Sequence, residues 1–190
     1  LNPEEDSSKR YMTKEKYIHS WILENFKSYE FKNNKTIEGG CSLKRPDWMI
    51  DLLTHSIIIE CDEDQHNNYS CENKRMMQLF IDLGSRPLVL IRFNPDSYID
   101  KYKKYKSCFS FDKNKMIENT VEWEKRNKKL KEKIIYYLNN IPTKEITEEK
   151  LFYNDAKIKL FKKENSSEED ESSYEEEIMD LTKNIKTLKF

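Results

Sequence analysis

Three carboxylates stand where two apolar runs would bring them together. Asp47 precedes Trp48-Met-Ile-Asp-Leu-Leu53, and Glu60 and Asp62 follow Ile57-Ile-Ile59, with polar Thr54, His55 and Ser56 between the runs. If the chain reverses at 54–56, antiparallel pairing sets position 47 opposite some position between 60 and 63. Alternation along a strand puts Glu60 and Asp62 on one face. Three acids in so small a space either raise one another's pKa or hold a cation, and a set made only of oxygens suits Mg²⁺ or Mn²⁺ better than zinc. Asp51 shares the parity of Asp47 but lies about 13 Å further along at ~3.3 Å per residue, so it serves the turn instead.

The elements that must position these acids can be read from spacing. Tyr17, Ile18, Trp21, Ile22 and Phe26 recur at helical intervals, predicting a helix from an N-cap at Thr13 to about residue 27, with Glu15 and His19 on or beside it. A loop ending in Gly39-Gly40-Cys41-Ser42 leads into the hairpin of residues 47–62. Beyond the polar segment 63–69, Ser70 caps a second helix carrying Met76, Leu79, Phe80 and Leu83, and Gly84 stops it. Pro87–Phe93 has the length and residue types of a buried strand. Strand, helix and strand in that order imply a crossover with parallel pairing, hence an α/β fold. Alternating Tyr and Lys over 101–106 predict an exposed basic loop in which Lys101, Lys103 and Lys104 could contact phosphates. A long helix over Thr120–Asn139 has Trp123, Leu130, Ile134 and Leu138 on one face and a Lys/Arg-rich face opposite; a short strand is expected around Leu151-Phe152-Tyr153.

Charged residues make up 36% of the 190, and the mean hydropathy is −0.95, so the core must come from the apolar residues gathered between about 46 and 93. The longest apolar run falls well short of the roughly 18 residues a membrane span requires. No signal-peptide pattern opens the chain, which starts with Leu, and the four cysteines (41, 61, 71 and 108) follow neither a zinc-ligand nor a disulfide-framework spacing. The expectation is an intracellular protein without a membrane partner. The net charge of −1 conceals nine acids and three bases in residues 164–190, a net of −6 that leaves +5 on residues 1–163. Residues 1–11 and the acidic, serine-rich 164–190 read as disordered flanks of one domain over 12–163, the acidic tail being suited to a protein partner.

This order of a helix, a hairpin bearing Pro46-Asp47 and then Glu60-Cys61-Asp62, a helix and a further strand resembles the PD-(D/E)xK nuclease superfamily. Within it, Gln65-His66, Arg75, Gly84 and Ile91-Arg92-Phe93 are most similar to very-short-patch-repair-endonuclease-like domains. The stretch from Gly39-Gly40-Cys41-Ser42 to Asn94-Pro95-Asp96 is also similar to uncharacterised proteins of giant DNA viruses. The resemblance covers roughly residues 12–98. It implies a restriction-endonuclease-like fold, a central mixed β-sheet with flanking helices, and metal-dependent hydrolysis of DNA phosphodiesters in repair or recombination.

By the same resemblance, Asp47, Glu60 and Asp62, with the carbonyl of Cys61, would hold Mg²⁺ or Mn²⁺. His66 would act as general acid or base, and Arg75 or Lys74 would stabilise charge on the phosphorane. Asp62 stands where the family usually has a lysine; related groups put the basic residue on the next helix or use Gln or His, so Gln65, His66, Lys74 and Arg75 are the candidates for its role. Arg92 is a candidate structural partner for the acids. The alternative is a degenerate nuclease fold that binds DNA or assembles with a protein without cutting. A single site cuts one strand at a time, and a homodimer is one arrangement that would cut both.

Overall fold

A computed structural model describes residues 3–65, 69–101, 103–113 and 115–154. His66 and the acidic stretch 164–190 lie outside them. The chain divides into two compact units: one spans residues up to Ser97 and Lys106–Phe152, and the other contains Tyr98–Tyr105.

The first unit is built on a five-stranded mixed sheet in the order β1-β2-β3-β4-β9. β1 (Lys32–Asn33) pairs antiparallel with β2 (Trp48–Asp51), and β2 with β3 (Ser56–Cys61). A single 3₁₀ turn (Glu63–Gln65) and α2 (Tyr69–Asp82) then carry the chain over to β4 (Leu88–Phe93), which is parallel to β3 as the strand–helix–strand order requires. β9 (Ile146–Leu151) lies parallel to β4 on its other side.

Side-chain alternation sorts the strands' apolar residues into two cores. Trp48, Ile50, Ile57, Ile59, Val89, Ile91 and Phe93 pack with Ile18 and Ile22 of α1 (Pro3–Asn25) and with Trp123, Leu130 and Ile134 of α3 (Thr120–Asn139). Met49, Ile58, Leu88 and Leu90 pack on the other face with Leu79, Phe80 and Leu83 of α2. The result is three layers, α1 and α3, the sheet, then α2. Among the described residues no helix is long and apolar enough to cross a membrane.

Several boundaries differ from the sequence expectation. α1 begins at Pro3, well before Thr13, because proline is tolerated in the first turn and no glycine interrupts the stretch. The hairpin turn occupies Leu52–His55, and Ser56 already belongs to β3, paired with Asp51. Asp51 serves that turn as expected: it accepts from the Leu53 amide at 2.9 Å and from both terminal nitrogens of Arg86. His55 is buried there and donates through Nε2 to the Tyr137 carbonyl at 2.7 Å, tying the turn to α3.

β9 starts earlier than the strand expected around Leu151, since Thr-Glu-Glu-Lys (147–150) is a half-exposed edge rather than an apolar run. Residues 109–118 form a hairpin of β7 (Phe109–Asp112) and β8 (Lys115–Glu118). The face of α3 opposite its core is charged, but Arg126 does not belong to it. Arg126 is fully buried and donates to the carbonyls of Asn94 at 3.1 Å, Asp96 at 2.7 Å and Lys106, clamping the segments on either side of the second unit's hairpin.

The second unit's described residues include that hairpin, β5 (Tyr98–Asp100) with β6 (Lys103–Tyr105), where a loop was expected. Tyr98 and Tyr105 stack across it with ring centroids 4.6 Å apart. Lys101 is in its turn, and Lys103 and Lys104 are exposed on β6.

Candidate functional site

The register places a row of charged residues across the sheet on the face that α2 covers. Trp48 pairs with Ile59, so Asp47, the residue before β2, stands opposite Glu60; Glu60 pairs with Arg92, and Arg92 with Lys150. The parity is that of Met49, Ile58 and Leu90 in the α2-side core. Beyond the end of that core Asp47, Glu60 and Arg92 line a pocket of about 270 Å³ with Arg45, Asp62, Glu72 and Arg75 around it and Met76, Leu79 and Leu90 at its apolar side.

The backbone holds Asp47 firmly. Its carbonyl accepts from Asn33 Nδ2 at 2.6 Å and from the Asn34 amide at 3.1 Å, and its carboxylate Oδ2 accepts from the Cys61 amide at 2.7 Å. Glu60 Oε1 accepts from Arg75 Nη2 at 2.7 Å, and the same nitrogen donates to the Arg45 carbonyl at 3.1 Å. Burial, followed by the charge of Glu60, pushes the Asp47 carboxyl up to about 8 against the Cys61 hydrogen bond. Burial pushes Glu60 up as well, while the Arg75 guanidinium pulls it down. Two carboxylates are thus held side by side in a site that disfavours their charges.

Asp62 behaves differently from the metal ligand the sequence suggests. It is buried, and its carboxylate is taken by Arg92, whose guanidinium also grips both oxygens of Glu72 at 2.6 and 2.7 Å. The parallel register sets buried Arg92 beside Glu60, and from there its guanidinium reaches Asp62, two residues further on, and Glu72. Arg92 therefore fills the role of structural partner.

Gln65 is buried at a positive φ of 58° and donates to the Ser97 carbonyl at 3.4 Å; it does not line the pocket. Lys74 is exposed on α2 outside the lining, whereas Arg75 is part of it. Lys101, Lys103 and Lys104 belong to the second unit. Glu15 accepts from Asn34 outside the pocket, though its charge also acts on Asp47. Lining residues to which the sequence reading gave no role are Arg45 and Glu72. Arg45 was legible as the neighbour of Pro46-Asp47, but Glu72 carried no signal in a polar helix start.

On the other side of the sheet's end a second buried ion cluster holds the turn after β3. Lys14 of α1 lies 2.9 Å from Glu63 and 2.7 Å from Asp96. Burial works against its charge, but the bonds to Asp96 and Glu63 outweigh that and raise its pKa.

Among the described residues no group of three or more His, Cys, Asp or Glu side chains is placed to hold a metal ion. A metal at this pocket would therefore rest on two side-chain carboxylates. That donor set fits Mg²⁺, which is commonly bound through one or two carboxylates, its waters and a substrate phosphate. One oxygen of each acid, Asp47 Oδ1 and Glu60 Oε2, has no protein hydrogen-bond donor among the described residues. Comparison with protein-family models, curated proteins and solved structures gave no match to this chain.

Proposed function

We propose that the chain is a Mg²⁺- or Mn²⁺-dependent DNA endonuclease with a restriction-endonuclease-like fold, acting at the Asp47–Glu60 pocket in repair or recombination. The observation that carries this reading is the pairing of two desolvated carboxylates, each with one oxygen open, in a pocket also lined by Arg45, Arg75 and Arg92. Asp47 and Glu60 would hold the ion with the Cys61 carbonyl. Bound there, it would polarise the phosphodiester and activate water.

The protein's own part is positioning. Arg45 is exposed at the pocket and presents positive charge to a phosphate backbone, while the Arg75 fork matches non-bridging phosphate oxygens. Asn33, Asn34 and Cys61 fix Asp47 from three directions, so its open oxygen keeps one place. The two arginines nearest the acids, Arg75 and Arg92, cannot take a proton from water near neutral pH.

The same fold without hydrolysis, a DNA-binding or assembly protein, is the second reading. It is favoured by the tie between Arg92 and Asp62, which closes the position where the family's lysine would act. Supercoiled plasmid incubated with the full chain and Mg²⁺ or Mn²⁺ separates the two. Nicking is expected for wild type and a loss of at least about 100-fold for Asp47→Ala and Glu60→Ala. DNA binding without nicking, or equal nicking by the variants, would leave only the second reading.

A further inference from the structure

We propose that Arg75 is an internal counter-cation that weakens the hold of Glu60 on a divalent ion until a phosphodiester draws the guanidinium away, so that metal and polyanion load the pocket together. This inference rests on the reading of Asp47 and Glu60 as the metal-holding pair, and it adds a regulatory role for the residue beside them.

Arg75 meets Glu60 and the Arg45 carbonyl through a single nitrogen, Nη2. Its Nη1 and Nε have no protein acceptor among the described residues. The fork is thus only partly engaged, leaving the donors that pair bidentately with a phosphate. The two cations at the acids differ in freedom. Arg92 is 8% exposed and locked by Asp62 and Glu72, whereas the Arg75 side chain is 37% exposed. Its helix is anchored one turn on by buried Leu79, so the backbone stays while the side chain can swing.

A partly exposed ion pair is weak enough to exchange, but while it holds, the guanidinium on Glu60 Oε1 repels a divalent ion approaching the open Oε2. A phosphate offers that guanidinium two oxygens in place of one. Its arrival would free Glu60 and bring a further metal ligand. By reciprocity the metal must tighten polyanion binding by the factor with which the polyanion tightens the metal.

The test is calorimetric titration of Mn²⁺ into the full chain without nucleic acid, for wild type, Arg75→Gln, Arg75→Lys and Asp47→Asn. Arg75→Gln is expected to bind Mn²⁺ about fivefold more tightly than wild type, and Arg75→Lys, which keeps a cation at Glu60, to stay within about twofold. With a short duplex present, wild-type affinity for Mn²⁺ should rise and Arg75→Gln should lose most of that gain. Unchanged or weaker Mn²⁺ binding by Arg75→Gln, with binding still dependent on Asp47, overturns the role of Arg75 and leaves the metal pair standing. Binding absent in every variant, or undiminished in Asp47→Asn, overturns the metal pair and this inference with it.

Discussion

Asp47 Oδ2 accepts the Cys61 amide hydrogen at 2.7 Å, a side chain just ahead of β2 closing onto the backbone at the end of β3. The bond favours the ionised carboxylate, yet burial and the charge of Glu60 win, and the group titrates near 8 rather than 3.8. The pocket therefore favours the protonated carboxyl more than bulk water does.

A pH dependence follows from that competition. In the unfolded chain Asp47 loses its proton near 4, while in the fold it keeps it until about 8. Between these values the folded state binds more protons, so its contribution is full below the lower value and is lost as the pH rises through the upper one. Glu60, also raised, adds in the same direction. Urea unfolding without divalent ions should show a midpoint that falls from pH 4 to pH 8, and Asp47→Asn should flatten the slope. Identical slopes in both proteins would contradict the shifted carboxyl.

Arg92 bridges buried Asp62 and half-buried Glu72. Replacing it by methionine removes the guanidinium from both acids, and the expected loss is about 3–5 kcal/mol of unfolding free energy. Arg92→Lys should fall between, since an ammonium cannot present the planar fork that meets both carboxylates. Chemical denaturation of the three proteins measures this; a methionine variant as stable as wild type would show that the network carries no stability.

Gly40 passes close to the end of α2. A Cβ built there would lie 2.7 Å from Cγ and 2.8 Å from Cβ of Asp82, whose carboxylate accepts from the Cys41 amide at 2.8 Å and the Ser42 amide at 3.2 Å. The nearer atoms are at the root of the side chain and cannot swing aside. Gly40→Ala should cost about 1–3 kcal/mol, read as a lower melting temperature. An alanine variant that melts with wild type would mean the loop moves freely from α2.

Leu130 is fully buried between α3 and the sheet, on the side away from the pocket. Leu130→Ala should cost about 2–5 kcal/mol and leave Mn²⁺ affinity unchanged below the unfolding transition. A change in affinity at full folding would show that the two faces of the sheet communicate.

Much of the frame was legible because it is written in apolar spacing. Ile57-Ile-Ile59 and Leu88–Phe93 announce buried strands, the helix between them forces parallel pairing, and the expected bounds of the long helix agree with α3. The meeting of Asp47 with Glu60 follows from one antiparallel turn. Arg92 was legible as a structural partner for the acids, but its choice of Asp62 over the others was not, because the register of two parallel strands is set by packing across a helix and leaves no mark in local sequence. Arg126 was hidden for another reason. It lies on the same side of α3 as Trp123 and Leu130, so the helical phase was visible, but its charge argued for solvent until three carbonyls supplied partners. The hairpins of 98–105 and 109–118 have strands too short to show a period.

Every side chain lining the pocket falls between Arg45 and Arg92, whereas the opposite core requires α1 from before that stretch and α3 from after it. Chemistry and scaffolding are therefore written in separate reading lengths. One stretch of the chain thus supplies the whole lining of the pocket, while its two flanks clasp the back of the sheet.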